Sequence, residues 1–69
     1  MKLGIYQHYK GPLYKVTQVV KHSETDEELV IYQCQYDDFS WWARPKSMFL
    51  ETIIKDGKQI NRFTWMRDE

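Results

Sequence analysis

Apolar and polar side chains alternate along most of this chain, in short runs that turn-forming residues interrupt. Alternation with a period of two places the two sets of side chains on opposite faces of a β-strand, whereas a helix needs apolar residues three and four positions apart. A single helical or 3-10 turn is compatible with residues 46–50, where Met48 and Phe49 would anchor it. The pattern therefore predicts an all-β protein.

Six runs have the character of short strands. They cover residues 4–10, 13–22, 29–36, 41–44, 51–55 and 59–63. In the second run, Tyr14, Val16 and Val20 share one face, as expected of a half-buried strand. In the third run the corresponding face carries Val30, Tyr32, Cys34 and Tyr36. Residues 64–69 are expected to fray or to extend the last strand.

Two dipeptides predict where the chain reverses direction. Gly11-Pro12 ends the first run, and Asp56-Gly57 separates the fifth run from the sixth. An Asp-Gly pair between strands favours a type I′ hairpin turn, because both central residues of that turn need positive φ. Pro45 is expected to end the fourth run, because proline cannot donate a hydrogen bond to a neighbouring strand.

Both faces of the third and fourth runs carry apolar groups, and a flat sheet of this size would leave one face wet. Five or six short antiparallel strands that curl into a small SH3-like barrel account better for this pattern. The 69 residues are predicted to form one such domain, over residues 1–69. This length is too short for the usual dinucleotide-binding and barrel-enzyme scaffolds.

Ten basic and ten acidic side chains give a formal net charge of zero, which argues against sequence-independent binding to a polyanion. The charge is zoned along the chain, with +4 over residues 1–22, −6 over 23–40 and +2 over 41–69. We expect strand pairing to mix these zones, because opposite charges favour one another across paired strands. A surface that stays polarised is the alternative.

The chain has one cysteine, Cys34, and so cannot form an internal disulfide bond. One cysteine and two distant histidines make no zinc-binding pattern, and no cofactor is predicted. The N-terminal residues lack the apolar stretch of a secretory signal, and no apolar run is long enough to span a membrane. These features predict a cytoplasmic protein.

The first candidate site lies around Trp41, Trp42 and Arg44. Adjacent residues on a strand face opposite sides, so one tryptophan should face inward and the other outward. An outward indole beside an arginine is typical of a recognition surface, and Arg44 could pair with a carboxylate or a phosphate. The competing interpretation is that the outward indole packs under a loop or against the C-terminal tail, and that Arg44 forms a structural salt bridge.

Two further segments place a histidine at the end of a strand, beside polar groups. They are His8-Tyr9-Lys10 and His22-Ser23-Glu24. Imidazole, hydroxyl and carboxylate are the groups that acid–base and nucleophilic catalysis use. A catalytic triad is defined by geometry rather than by adjacency in sequence, and serine in a loop more often bonds the local backbone. We therefore expect these segments to take part in binding, and we expect no catalytic residue.

The motifs in these segments resemble those of a short bacterial family known as domain of unknown function 1653. The matching segments are residues 4–11, residues 22–28 continuing to Val30 and Tyr32, residues 42–49, and Arg62-Phe63. The resemblance covers nearly the whole chain and implies a compact SH3-like β-barrel, but it implies no activity. Gln7 stands where the family pattern has an arginine, so an anionic ligand held by that arginine would bind less well to this member.

The sequence predicts a non-catalytic binding module that recognises a protein, a peptide or a small anionic ligand. In this hypothesis the aromatic and basic groove is formed by His8, Tyr9, Lys10, His22, Ser23, Glu24, Trp42 and Arg44. Binding of single-stranded nucleic acid is one alternative, because aromatics between basic residues can stack on bases. A hydrolytic enzyme that uses His22, Ser23 and Glu24 is another. The chain is expected to be a monomer or a weak homodimer.

Overall fold

The computed structural model describes residues 1–68 and shows an all-β fold with one short helix. The elements in chain order are β1 (Gly4–His8), β2 (Leu13–Lys21), β3 (Glu28–Cys34), β4 (Trp41–Pro45), α1 (Lys46–Phe49), β5 (Thr52–Lys55), β6 (Lys58–Asn61) and β7 (Phe63–Arg67). The helical turn predicted over residues 46–50 is confirmed as α1. No helix within residues 1–68 is long and apolar enough to cross a membrane.

Five of the strands form one antiparallel sheet in the order β4-β3-β2-β1-β7, and β5 and β6 form a separate hairpin. The structure has seven strands rather than the five or six predicted, because the run over 59–63 is divided. Arg62 is the point of division: its N–H donates to the carbonyl of Glu51, and its carbonyl accepts from the N–H of Tyr9. The chain therefore leaves the hairpin at Arg62 and continues as β7 along β1.

The second strand contains a β-bulge between Val16 and Gln18. The extra residue reverses the alternation in the rest of the strand. Val19 packs against the core, and Val20 is 36% exposed. The prediction that Val20 shares the buried face with Val16 was therefore wrong. The bulge is a feature of strand pairing that the alternating pattern does not contain.

The Asp-Gly turn forms as predicted. Asp56 and Gly57 have φ values of 52° and 76°, the signs that a type I′ turn requires. Pro45 forms the last residue of β4 rather than following it, which an edge strand tolerates. Glycine is also required at Gly4, where φ is +126° and an added Cβ would lie 2.5 Å from the Arg67 carbonyl oxygen.

The core is a cluster of aromatic and β-branched side chains between the sheet and α1. Its buried members are Tyr6, Val16, Val30, Tyr32, Phe49 and Phe63. Phe49 comes from α1, and its ring stacks on Phe63 with 4.1 Å between the ring centroids. The helix is thus held against the sheet by one aromatic side chain.

Ion pairs join some of the charge zones that the sequence defines. Lys46 Nζ lies 3.5 Å from Glu28 Oε1, which links the acidic middle of the chain to its basic last part. Arg62 and Glu51 form a second pair at 3.1 Å, within the last zone. Pairing therefore mixes the zones in part, and among the described residues 1–68 Asp37 and Asp38 form no ion pair.

Candidate functional site

Strand β4 lies at the edge of the five-stranded sheet and positions Trp42 and Arg44. In the register of the sheet Trp42 is opposite Tyr32, and Arg44 is opposite Val30. Both β4 side chains therefore project from the same face of the sheet as the core residues. Trp41 is opposite Gln33 and projects from the other face.

Both tryptophans are exposed, Trp41 by 55% and Trp42 by 57%. The alternation predicted that one of them would face inward. Trp42 does project from the core face, but it lies at the sheet edge, where no element covers it. The two indoles do project from opposite faces, as the alternation predicts, but the inward-facing Trp42 stays exposed because β4 is the edge strand of the sheet.

A groove of about 480 Å³ opens beside Trp42. It is lined by Tyr14, Tyr32, Cys34, Tyr36, Asp37, Asp38, Ser40, Trp42 and Arg44. Tyr14 meets Tyr32 and Tyr36 edge-on, with 5.3 Å and 5.6 Å between ring centroids, and its hydroxyl lies 2.8 Å from that of Tyr36. Three connected tyrosines thus form one continuous wall.

The loop between β3 and β4 fixes the orientation of Trp42. The indole N–H donates to Ser40 Oγ at 2.8 Å. The N–H of Ser40 donates in turn to Asp38 Oδ1 at 3.1 Å, and the carbonyl of Ser40 accepts from the N–H of Cys34 at 2.9 Å. Because Ser40 is tied to the loop and to β3, the indole is held in place although it is exposed.

The two ends of the groove differ in charge. Asp37 and Asp38 lie in the loop at one end, and Arg44 lies two residues beyond Trp42 toward the other. The Arg44 guanidinium lies 5.5 Å from the centre of the Phe63 ring. Within residues 1–68, none of these three charged groups forms an ion pair. The hydrogen bond with Tyr14, followed by one with Cys34, raises the pKa of Tyr36, so its hydroxyl stays protonated.

A second, smaller cleft of about 310 Å³ lies near the turn between β1 and β2. It is lined by Gln7, His8, Tyr9, Gly11, Ile60, Asn61, Thr64 and Met66. Gln7 donates from Nε2 to the carbonyl of Gly11 at 3.1 Å. Gln7 therefore lines this cleft and not the groove beside Trp42.

His8 and His22 have the same structural role in two different turns. The Nδ1 atom of His8 accepts a hydrogen bond from the N–H of Lys10 at 3.2 Å, and Nδ1 of His22 accepts one from the N–H of Glu24 at 3.1 Å. In both cases the ring satisfies the backbone two residues later, as an aspartate or asparagine does in an Asx turn. An accepting Nδ1 leaves the proton of the neutral ring on Nε2.

The environment of His8 favours its neutral form. Burial lowers the pKa of His8, and the positive charges of Arg62, Lys10 and Arg44 lower it further. The ring contacts Phe63 edge-on at 5.0 Å between centroids. His8 and Arg44 thus approach the same phenyl ring, and the groove and the second cleft are neighbours across Phe63.

The eight residues predicted to form one groove lie in three places. Trp42 and Arg44 line the groove. His8 and Tyr9 line the second cleft, and Lys10 follows them in the β1–β2 turn. His22, Ser23 and Glu24 form the exposed turn between β2 and β3, closed by a hydrogen bond from the N–H of Asp26 to the carbonyl of His22. Neither cleft is lined by any of these three.

Sequence reasoning missed most of the groove residues. The sequence places Tyr14, Tyr32 and Tyr36 on the inward faces of strands, and it places Asp37 and Asp38 between the third and fourth runs. The signal that could have found them is the alternation of Tyr32, Cys34 and Tyr36, which continues past the end of β3 into the loop. Residues 1–68 contain no group of three or more histidine, cysteine or acidic side chains that could hold a metal ion.

A family model and one solved structure match this chain. A family model described as "Protein of unknown function (DUF1653)" matches residues 4–65. The crystal structure of a DUF1653 protein from Bordetella bronchiseptica has a similar fold, with a TM-score of 0.90 and 27% sequence identity. The match covers 100% of this chain and 91% of that one. No curated protein matches the chain.

Proposed function

This chain belongs to the DUF1653 family, whose description is that of a protein of unknown function, and on that premise we propose that it is a non-catalytic binding module. The site is the groove beside Trp42. The ligand carries an anionic group, on a peptide segment of a partner protein or on a small molecule, and Arg44 is its partner in the groove. The module acts in the cytoplasm, as the single cysteine favours.

The observation that carries the proposal is the exposed and oriented indole of Trp42. A large aromatic side chain that is exposed at 57% leaves apolar surface in water, which a ligand can cover. Its hydrogen bond to Ser40 fixes its orientation before a ligand arrives. A side chain held in place loses less conformational entropy on binding, so more of the contact energy appears as affinity.

Arg44 is the residue that binds the anionic group of the ligand. Its guanidinium is positioned over Phe63 and has no ion-pair partner within residues 1–68. A planar guanidinium with free N–H groups binds carboxylate or phosphate in a bidentate manner. The groove volume of about 480 Å³ is in the range of sites that hold a small molecule or a few residues of a peptide.

The sheet supports a finer description of the fold, which we also propose. The β-bulges in β2 and at the β1–β7 pairing bend the sheet, and the β5–β6 hairpin follows α1. A short, strongly bent antiparallel sheet with an added hairpin corresponds to an SH3-like barrel. In this description the groove lies between the β3–β4 loop and the edge strand.

The two alternatives have less support. Single-stranded nucleic acid would bring phosphates close to Asp37 and Asp38, which line the groove and oppose them. A hydrolytic role for the His22 segment requires an Nδ1 proton directed to a carboxylate, whereas Nδ1 of His22 accepts a backbone N–H. A filter-binding titration at low salt tests the first alternative, because phosphate contacts strengthen there.

The chain itself offers the control for testing the groove. Trp41 and Trp42 are adjacent and almost equally exposed, but only Trp42 lines the groove. Wild-type protein, Trp42→Ala and Trp41→Ala are titrated with a library of capped peptides and with small carboxylates and phosphates, and amide and indole N–H shifts are recorded by NMR. We expect ligands to shift the Trp42 indole N–H and to lose affinity with Trp42→Ala and not with Trp41→Ala. Equal effects of the two substitutions, or no shifts at all, would refute the proposal.

Oligomeric state is a separate part of the proposal. Edge strands β4 and β7 have unpaired outer sides in the sheet order, and edge strands can pair with another copy. We propose a monomer or a weak homodimer. Sedimentation velocity over a hundredfold range of concentration tests this: a monomer keeps the mass of one chain and a weak homodimer gains mass with concentration, whereas a tight oligomer has a multiple of the chain mass at every concentration and would contradict the proposal.

A further inference from the structure

We propose that the groove is specific for a peptide segment with two opposite charges, a cationic side chain at the loop end and an anionic one at the Arg44 end. This inference rests on the proposed function, because it names the ligand class of the same groove. It adds a second requirement on the ligand, beyond the anionic group and the apolar surface that Arg44 and Trp42 recognise. The ligand must carry a positive charge at a defined distance from its negative charge.

The loop end of the groove has the chemistry that binds a cation. Asp37 and Asp38 line it, and neither forms an ion pair within residues 1–68. One oxygen of Asp38 accepts the N–H of Ser40, which leaves its second oxygen and the whole Asp37 carboxylate for a ligand. The rings of Tyr36 and Trp42 lie beside them and are both exposed. Ammonium and guanidinium groups bind where aromatic faces adjoin carboxylates.

The other end has the chemistry that binds an anion. Arg44 follows Trp42 on the same face of β4, and the ring of Phe63 supports its guanidinium. The positive charges of Arg62 and Lys10 lie close enough to act on His8, on the far side of the same ring. A carboxylate at this end therefore meets the guanidinium of Arg44, and Lys10 adds positive potential, whereas the charge of Arg62 is offset by its ion pair with Glu51.

The spacing of the two ends follows from the strand. Ser40, beside the aspartates, and Arg44 are four residues apart on an extended segment. At about 3.3 Å per residue, the backbones of Ser40 and Arg44 are about 13 Å apart. An extended peptide covers that distance in three or four residues, and the groove volume of about 480 Å³ holds a segment of that length. The tyrosine wall between the ends is suited to the apolar residues between the two charges.

Charge balance selects this ligand over a simple anion. The groove lining carries two aspartates and one arginine, so its formal charge is −1. A small anion would satisfy Arg44 and leave both carboxylates unpaired, and a polyanion would be repelled by them. A segment with one charge of each sign pairs with both ends at once. Complementary charge at an interface gives specificity of this kind.

The test uses four sets of capped synthetic hexapeptides with random Pro, Leu and Tyr between two defined positions that are three or four residues apart. The first set has Lys and Glu at these positions, in both orders. The second and third sets replace Lys or Glu by Gln, and the fourth replaces both. Each set is titrated into the wild-type protein, and the shift of the Trp42 indole N–H gives the affinity.

We expect the set with both charges to bind most tightly. Removal of either charge should weaken binding by about threefold to tenfold at low ionic strength, and by less at 0.5 M salt, because the pairs are partly exposed. In the Asp37→Asn/Asp38→Asn double variant the benefit of Lys should disappear while that of Glu stays. In the Arg44→Gln variant the benefit of Glu should disappear while that of Lys stays. The loss of one benefit in each variant identifies which end of the groove binds which charge of the peptide.

The outcomes separate this inference from the proposed function. If the peptides shift the Trp42 indole but Lys gives no benefit, or a benefit that the double aspartate variant keeps, the inference is wrong and the binding module stands. If neither the peptides nor the small anions shift the indole, the proposed function fails, and the inference fails with it. Loss of the Lys benefit in the aspartate variant together with loss of the Glu benefit in Arg44→Gln supports both.

Discussion

Replacing Phe49 by alanine removes the side chain that holds α1 against the sheet. The Phe49 ring is 1% exposed, stacks on Phe63 at 4.1 Å and meets Tyr6 edge-on at 5.2 Å. Truncation of a buried phenylalanine to alanine costs about 3–5 kcal/mol. Each aromatic pair adds about 0.5–1.5 kcal/mol beyond burial, so the loss for Phe49→Ala should be at least about 4 kcal/mol, the middle of that range. A domain of 69 residues has a free energy of unfolding of about 3–10 kcal/mol, so we expect Phe49→Ala to lose at least about 40% of it.

The measurement is urea unfolding followed by circular dichroism, with Tm as a second readout. A loss of about 4 kcal/mol corresponds to a fall in Tm of about 16–32 °C for a domain of this size. Met48→Ala is the matched control, because Met48 precedes Phe49 on the same helix and is 47% exposed; it should cost about 0.5 kcal/mol. If Phe49→Ala does not fold, Phe49→Leu gives the graded value, about 1.5 kcal/mol. A Phe49→Ala protein within about 1 kcal/mol of Met48→Ala would refute the assignment of Phe49 as the anchor of α1.

Three further predictions follow from the backbone and the side-chain environments. Gly4→Ala should destabilise the fold by more than Gly57→Ala in urea unfolding, because an added Cβ at Gly4 meets a carbonyl at 2.5 Å, whereas Gly57 has open space and only an unfavourable φ. Burial and neighbouring cations lower the pKa of His8, so protonation of the ring is less favourable in the folded protein than in the unfolded chain. The unfolded chain takes up that proton near pH 6.5, so stability should fall as the pH is lowered through 6.5 toward the folded-state pKa. The variant His8→Asn, whose amide oxygen can accept the same N–H, should lose this part of the pH dependence, and an unchanged profile would contradict the reasoning. Trp41→Ala and Trp42→Ala should each change the free energy of unfolding by less than about 1 kcal/mol, because both indoles are exposed; a larger loss from either would show that its exposed ring stabilises the fold.

Local features of the fold could be predicted from the sequence because short segments determine them. The Asp56-Gly57 turn needs two residues that tolerate positive φ, and the pair supplies them. The buried face of β3 follows from alternation alone, since Val30, Tyr32 and Cys34 are all buried. The helical turn after Pro45 needs only a place for one apolar side chain in the core. Each of these depends on fewer than ten neighbouring residues.

Other features depend on partners that are distant in sequence, and prediction failed there. The bulge that turns Val19 rather than Val20 toward the core belongs to the pairing of β2 with β3. The division of the last predicted strand at Arg62 depends on hydrogen bonds to Glu51 and to Tyr9. No local pattern in either segment contains this information.

The groove could be predicted only in part, for the same reason. Trp42 and Arg44 were identified because tryptophan and arginine on one short strand are characteristic of recognition sites. Tyr14 comes from β2 and Tyr36 from the loop after β3, and only strand register brings these rings together. The two histidine segments have residue types found in catalytic sites, and the structure uses their rings as acceptors for backbone N–H groups in turns.

The pairing of β1 with β7 has a consequence for the order in which the chain folds. The indole N–H of Trp65 donates to the carbonyl of Leu3, a contact between residues 62 positions apart. Closing a loop of that length costs about 2 kcal/mol more in chain entropy than closing the six-residue turn between β2 and β3. We therefore expect the β2–β3 hairpin to form early and β7 to join last. Until β7 joins, one side of β1 stays unpaired and the core lacks Phe63, so this is the stage at which the chain is most exposed to aggregation.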